Sequence, residues 1–282
     1  MLSKIEYREA IQIKSAKSTK GSAPLEVICD DGEIYFIKTS LPKHPPFPEL
    51  INEVLCNYLC QTFSLVVATP RLVVLPNIVV ESFISEGNQL DKRYNNVNFN
   101  DRIFFGVQNI NNATEFEQYN SYLKNKYDYN KFKNPTDLIK IGVFDFWIGN
   151  KDRTPKNPNI LISPTDHGFD FNPIDHTAAF GYQENYKALK SSQMFVEDSR
   201  NILSTPISKS ILNFAVSNNN YNFKDEICQL IDSSLSKLDF IFEQIPPSWG
   251  LSKAGKLKII EILSDKERNK IISTSYYRFN TK

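Results

Sequence analysis

The stretch from Phe144 to Phe180 constrains the fold of this chain more than any other segment. Within it, Asp152 is followed five residues later by Asn157. Residues 159–174 then combine β-type runs with a turn-rich centre, which predicts a hairpin of two strands. Asp175 stands where the second strand ends. An acid, an amide, a hairpin and a second acid therefore follow one another along the chain. This order suits phosphoryl transfer from ATP, in which side-chain oxygens position the attacking group and hold a metal ion on the phosphates.

The polar side chains of this stretch fit distinct roles in that chemistry. Two unit charges about 4 Å apart interact by roughly 4 kcal/mol at an effective dielectric constant of about 20, so a triphosphate near Asp152 and Asp175 needs a divalent cation. We expect Mg²⁺ to be held by the carboxylate of Asp175 and the amide oxygen of Asn157. Asn159, which directly precedes the first strand, is the alternative ligand. Asp152 would accept a hydrogen bond from the attacking hydroxyl, and Arg153 would brace the loop or pair with a carboxylate or phosphate.

These motifs resemble the catalytic segment of the protein-kinase-like superfamily, and in detail that of the HipA-like kinases, in particular their small single-chain bacterial branch. The resemblance is carried by Phe144-Asp145-x-Trp147-Ile148-x-Asn150-x-Asp152-Arg153, by Asn157-Pro158-Asn159-Ile160-Leu161 and by Ile174-Asp175-His176. It extends over roughly residues 14–263 and is weakest after Tyr186. It implies a two-lobed fold with a nucleotide-filled cleft, and ATP and Mg²⁺ as cofactors.

The N-terminal part of the chain predicts a hairpin over residues 25–38 with a polar loop in front of it. By resemblance to the small lobe of a kinase, Lys38 at the end of the second strand would reach the α and β phosphates. The loop contains Lys20, Gly21 and Ser22, whose backbone N–H groups would cradle phosphate. The chain lacks a Gly-x-Gly-x-x-Gly motif. A flexible surface loop, and a solvent-facing lysine at the strand end, remain the alternatives.

The next segment predicts a helix that begins at Pro48, a residue suited to the first helical position. Residues 49–61 repeat apolar side chains at helical spacing. Glu53 lies at the edge of the buried stripe, where an unpaired carboxylate is costly. We therefore expect Glu53 to pair with Lys38, as the resemblance to kinases implies. A solvent-facing glutamate is the alternative.

Chain topology predicts a third contact with the nucleotide. Residues 78–84 are mainly apolar, and we predict that they form a strand that leads from the small lobe to the large one. The backbone of Glu81, Ser82 and Phe83 would then hydrogen-bond the adenine edge. Residues 104–108 resemble a Phe-Gly step that faces the cleft in the HipA-like branch, with an ordinary turn as the alternative.

Composition narrows the class of protein. The chain has 282 residues, with 33 basic and 32 acidic side chains. It lacks the basic excess of nucleic-acid-binding proteins, so we expect no direct nucleic-acid partner. No apolar run approaches the length of about 18 residues that a membrane span needs, and no signal-peptide core is present, so we expect no membrane partner. The four cysteines lack the spacing of a zinc site and indicate reduced thiols in a cytoplasmic protein.

We therefore predict an α+β protein with a two-lobed protein-kinase-like fold. Residues 1–84 would form a small antiparallel-sheet lobe and residues 85–282 a mainly helical large lobe. The predicted activity is ATP- and Mg²⁺-dependent transfer of the γ-phosphate to a Ser or Thr hydroxyl of a protein or of the chain itself. The alternatives are a small-molecule kinase and a catalytically silent nucleotide-binding pseudokinase or interaction module. A regulatory partner protein is a further expectation by analogy with HipA operons.

Overall fold

The computed structural model describes residues 2–17, 23–39, 44–95, 97–119, 121, 123–182, 185–219 and 223–279. The chain begins with a five-stranded barrel and two helices: β1 (Glu6–Ala16), β2 (Leu25–Cys29), β3 (Ile34–Lys38), α1 (Pro48–Thr62), β4 (Pro70–Val74), α2 (Asn77–Ser85) and β5 (Ile103–Gln108). The strand order is β1-β2-β3-β5-β4, and a parallel pairing of β1 with β4 closes the barrel. The sheet that we predict as antiparallel is therefore a closed barrel with one parallel pair.

The rest of the chain is mainly helical. Its elements are β6 (Thr114–Glu115), α3 (Lys126–Tyr129), α4 (Asp137–Ile148), β7 (Ile160–Thr165), β8 (Gly168–Pro173), α5 (Ala179–Tyr182), α6 (Pro206–Asn219), α7 (Phe223–Leu235), α8 (Leu238–Glu243), α9 (Lys253–Leu263) and α10 (Lys266–Ser273), joined by short 3₁₀ turns. β7 and β8 form the predicted hairpin, and β6 adds a third strand. The predicted α+β class is confirmed.

The predicted hairpin before α1 is present as β2 and β3. Alternate residues of both strands are buried, so Val27, Tyr35 and Ile37 fill the barrel interior. Lys38 ends β3 and pairs in register with Phe105 of β5. This placement puts Lys38 at one end of the barrel, next to the helical part of the chain.

Helix α1 is buried on every side and joins the barrel to the helices. Pro48 occupies its first turn, as predicted, and every residue from Leu50 to Cys60 is buried. The helix packs against β5 on the barrel and against α7 and α8 of the helical part. Because Glu53 lies in this enclosed stretch, its carboxylate needs a partner inside the protein.

The prediction of a strand over residues 78–84 is wrong, because this segment forms α2. Val80 and Phe83, three positions apart, are buried against the barrel core, whereas Ile78 is 69 % exposed and Ile84 is 50 % exposed. A short apolar run fits a buried strand and a one-sided helix equally well. The barrel sheet continues to β5, beyond residue 84; the domain boundary at that residue remains a prediction.

Helix α4 delivers the chain to the predicted catalytic loop. Every residue of α4 is buried, and the helix ends at Gly149 with a left-handed φ of 65°. A Cβ atom at Gly149 would lie 2.8 Å from the backbone of Met194. Backbone conformation and close packing therefore both require glycine here.

Two hydrophobic clusters support these elements. One fills the barrel, and a larger one extends from α1 through α4 to the C-terminal helices. Within the described ranges, no helix combines the length and the apolar composition needed to cross a lipid bilayer.

Candidate active site

Three charged side chains meet between the barrel and α1. The ammonium of Lys38 pairs with the carboxylate of Glu53 and lies 3.1 Å from Oδ1 of Asp175. These residues come from β3, from α1 and from the end of β8. The exposed fraction is 4 % for the side chain of Glu53, 20 % for Lys38 and 34 % for Asp175. The expected pair of Lys38 and Glu53 is thus present, and the cluster opens to solvent at Asp175.

The electrostatics of this cluster keep both accessible groups charged. Burial disfavours the ammonium of Lys38, but Glu53 and Asp175 raise the pKa of Lys38 above its ordinary value. Burial acts to raise the pKa of Asp175, but Lys38 and the hydroxyl of Thr177 hold it below its ordinary value. An ionised carboxylate that is one-third exposed is a suitable oxygen ligand for a hard cation.

Asp152 lies on the loop after α4 and is held by two amides. Nδ2 of Asn157 is 3.0 Å from Oδ2 of Asp152, and Nδ2 of Asn159 is 3.1 Å from the same oxygen. The carbonyl of Asn159 also accepts a hydrogen bond of 2.9 Å from the backbone N–H of Ile174, the residue before Asp175. The base of the β7–β8 hairpin therefore connects the two acids that the sequence places in the site.

Arg153 is enclosed beneath this loop. It pairs with Asp145 of α4, and both side chains have 0 % exposure. Its guanidinium also donates to the carbonyl of Ile174 at 2.9 Å and contacts Nε2 of His176 at 3.1 Å. Burial raises the pKa of Asp145 to about 7, while Arg153 acts to lower it. These contacts match the expectation that Arg153 braces the loop and pairs with a carboxylate, and its enclosure keeps it from a phosphate in this structure. A catalytic role for Arg153 remains a prediction.

The residues after Asp175 tie the end of β8 to α1. The backbone N–H of His176 donates to Oε2 of Glu53 at 3.3 Å. The hydroxyl of Thr177 contacts Oε1 of Glu53 at 3.3 Å and also bonds to Asp175. These contacts fix the distance between the two carboxylates that share Lys38.

Asn52 anchors the same segment from the neighbouring position of α1. Its Nδ2 donates to the carbonyl of Thr177 at 2.8 Å and to that of Ala179 at 3.0 Å. Its Oδ1 accepts a hydrogen bond of 2.6 Å from the hydroxyl of Tyr186. A single buried amide therefore holds the backbone that follows Asp175.

The profile of the HipA-like kinase family matches residues 11–279, nearly the whole sequence. This chain belongs to the HipA-like kinase family. The resemblance inferred from the short motifs is thereby confirmed. A comparison with curated proteins gives no match.

Solved kinase structures are similar to this HipA-like kinase. The proinflammatory kinase CtkA of Helicobacter pylori is 15 % identical, with a TM-score of 0.54 and 95 % coverage of both chains, which shows a shared fold. Two structures of the Golgi casein kinase, one with Mn/ADP bound, have TM-scores of 0.38 and identities of 13 % and 15 %. They cover 97 % and 96 % of this chain and 74 % of their own.

Hydrogen bonds and ion pairs connect most of the polar residues that the sequence predicts for the active site of this kinase. One connected set of side chains and backbone groups contains Lys38, Glu53, Asp152, Asn157 and Asp175. Both asparagines of the loop bind Asp152, so the metal-ligand role that we predict for Asn157 remains a prediction, with Asn159 as the alternative.

The other predicted nucleotide contacts are not in this set. Glu81, Ser82 and Phe83 belong to α2, where the carbonyl of Ser82 accepts from the N–H of Glu86 at 3.2 Å and the side chain of Phe83 is buried. The strand on which we based the adenine contact is a helix, and the barrel sheet continues through β5 instead. The contact of Glu81, Ser82 and Phe83 with adenine remains a prediction. Lys20, Gly21 and Ser22 lie outside the described residues.

The sequence did not predict that Asn52, Thr177 and Tyr186 hold the segment after Asp175 in place. It also did not predict that Arg153 pairs with Asp145 in particular. One signal was available for Asn52, because a polar residue beside Glu53 in a buried helix needs partners. No spacing indicates Tyr186, which lies far along the chain. Among the described residues, no group of three His, Cys, Asp or Glu side chains forms a metal site. A divalent ion at Asp175 would therefore also need amide and phosphate oxygens.

Proposed function

We propose that this HipA-like kinase uses ATP and Mg²⁺ to phosphorylate a Ser or Thr hydroxyl of a protein, which includes autophosphorylation. The observation that carries the proposal is the linkage of Lys38 to both Glu53 and Asp175. It supplies one fixed ammonium and one ionised, accessible carboxylate at a single place. Phosphoryl transfer depends on this kind of positioning and charge neutralisation.

Lys38 would contact the α and β phosphates of ATP. Glu53 is almost fully buried, and the contacts from His176 and Thr177 fix its position. Lys38 is therefore held at the barrel end by a carboxylate that cannot move toward solvent. Such a pre-positioned charge needs little reorganisation when phosphate binds.

The metal would be held by the carboxylate of Asp175 and the amide oxygen of Asn157. When bound, Mg²⁺ would neutralise the negative charge of the phosphates. Asn157 directs its amide nitrogen to Asp152, which leaves the amide oxygen as a ligand. The carboxylate of Asp175 is ionised and one-third exposed, so both donors fit a hard cation.

Asp152 would orient the acceptor hydroxyl by accepting its hydrogen bond. Two amide groups hold Oδ2 of Asp152, which leaves Oδ1 for the acceptor. The adenine would lie against the backbone that leaves β5 after Gln108, where the sheet passes into the helical part.

Transfer of ³²P from [γ-³²P]ATP to the chain itself and to a mixed protein substrate tests the proposal. The wild type should incorporate label only with Mg²⁺ present, and Asp152→Ala should lower incorporation by about 10²-fold or more. Asp166→Asn, in the exposed turn of the same hairpin, is the matched control and should keep wild-type activity. Metal-dependent ATP binding without any transfer would instead identify a silent nucleotide-binding module.

A further inference from the structure

A second polar site lies at the far end of α1. A cavity of about 350 Å³ is formed by the N-terminal segment, the last turns of α1 and the start of β4. Its polar lining consists of Ser3, Lys4, Tyr58, Gln61, Thr69 and Arg71. None of the active-site side chains described above lines it. Its volume lies at the lower end of the range of small-molecule sites.

Arg71 has hydrogen-bonding capacity that the protein does not use. Its terminal nitrogen is 3.3 Å from Oε2 of Glu6, but Arg8 lies closer to the same oxygen, at 2.6 Å. A second terminal nitrogen donates to the carbonyl of Pro70 at 3.0 Å. The Nε–H group is buried and meets no acceptor within the described part of the chain. Because Nε is buried, an anion in the cavity would bind the terminal nitrogens instead; the Arg71 side chain is 17 % exposed, and its two terminal nitrogens carry more N–H groups than these contacts use.

The other polar groups of the cavity also favour an anion. Lys4 forms no ion pair with any described residue, and no described Asp or Glu lines the cavity. Burial raises the pKa of Tyr58 to about 12, although Arg71 acts to lower it, so the phenol stays protonated. Its hydroxyl donates to the carbonyl of Ser3 at 2.9 Å, which ties the N-terminal wall to α1.

We propose that this cavity binds a small molecule through a phosphate group, with Arg71 and Lys4 as its cationic ligands. The planar fork of a guanidinium matches the oxygen geometry of phosphate, and the lysine adds a point charge. The site does not depend on the proposed phosphotransfer. Its occupant would nevertheless contact α1, because Tyr58 and Gln61 lie on the helix that carries Glu53.

Calorimetric titration of the full chain with inorganic phosphate, at constant ionic strength, tests the proposal. The wild type should bind phosphate saturably. Arg71→Gln should weaken this binding by about tenfold, because it removes a partly buried charged donor. Lys4→Gln should weaken it by about threefold, as expected for an exposed charge. Glu6→Gln should strengthen it by about threefold, because it removes the carboxylate that competes for Arg71.

Two controls separate this site from the active site and from nonspecific attraction. Lys258→Gln, which lines neither this cavity nor the active site, should leave the phosphate affinity unchanged. Hydrogen exchange should slow on addition of phosphate at the end of α1 and the start of β4. Lys4 is exposed and forms no ion pair with a described residue, so Lys4→Gln should fold normally and test the proposal even if Arg71→Gln fails to fold. The proposal is overturned if phosphate does not bind saturably, if Lys4→Gln and Glu6→Gln match the wild type, or if protection appears only around Asp175.

Discussion

The two ion clusters of the site differ in how completely the protein encloses them. Arg153 and Asp145 both have 0 % exposure and pair with each other beneath the catalytic loop. Lys38 and Asp175 keep 20 % and 34 % exposure, and only their shared neighbour Glu53 is enclosed. A fully buried pair is out of reach of a ligand, whereas a partly exposed cluster keeps its charge available. We infer that the closed pair positions the loop and that the open cluster meets the nucleotide.

Breaking the closed pair should produce the largest loss of stability. Arg153→Met leaves the carboxylate of Asp145 buried without its partner, so the free energy of unfolding should fall by about 3–5 kcal/mol. Denaturant unfolding measures this. Adding Asp145→Asn to Arg153→Met should recover part of the loss, because it removes the orphaned charge. A loss below about 1 kcal/mol for Arg153→Met would contradict the positioning role.

The open cluster should show the opposite pattern. Asp175→Asn should lower phosphotransfer by about 10²–10³-fold, because it removes a preorganised charge at the reacting phosphates. The unfolding temperature should shift by only a few degrees, about what 1 kcal/mol produces, since Lys38 keeps Glu53 as its partner. Radiolabel transfer and thermal unfolding, measured side by side with Asp166→Asn as the control, test the predicted loss of activity and the predicted small change in stability. Activity within about threefold of wild type would place Asp175 outside the chemistry.

Asn52 is a buried residue that supports the open cluster, because it holds the backbone that follows Asp175. Asn52→Ala leaves the carbonyls of Thr177 and Ala179 and the hydroxyl of Tyr186 without this partner. The expected loss of stability is about 1–3 kcal/mol. Tyr186→Phe removes only one of these bonds and should cost less in the same denaturant experiment. Equal stability of Asn52→Ala and the wild type would show that the segment is held by other contacts.

The two asparagines of the loop can be distinguished by metal dependence. If Asn157 is a metal ligand, Asn157→Ala should raise the Mg²⁺ concentration for half-maximal activity by about tenfold. Asn159→Ala should reduce activity through Asp152 with a smaller change in that concentration. Mg²⁺ titrations of both variants decide the assignment, and the reverse result would transfer the role to Asn159.

The smallest expected effect is on the reactivity of the cysteine thiols, which measures how well the protein shields each thiol from solvent. Cys29, Cys56 and Cys60 are buried, and burial raises the pKa of each thiol, to about 12 for Cys29. Cys228 is only partly buried. A disulfide reagent near neutral pH should therefore modify one thiol quickly, and Cys228→Ser should remove that fast phase. Rapid modification of Cys60, which lies 3.6 Å from His176, would show that the closed side of the site opens readily.

The sequence was informative where local chemistry leaves few alternatives. A carboxylate in a buried helix needs a partner, and the resemblance to kinases identified Lys38 as that partner of Glu53. The loop and hairpin from Asp152 to Asp175 were predictable because turn residues and β-type runs fix their order. Residues 78–84 were not, because a short apolar run has no unique period and only the barrel decides which face is buried. The enclosure of Arg153 depends on α4 and β8 packing together, which no local pattern reveals.

Calorimetric binding of a non-hydrolysable ATP analogue, with and without Mg²⁺, tests most directly whether Lys38, Glu53 and Asp175 form one nucleotide site. We predict saturable binding by the wild type that requires Mg²⁺, and at least about tenfold weaker binding by Asp175→Asn. Equal affinity of the two proteins, or the same affinity without the metal, would contradict the account.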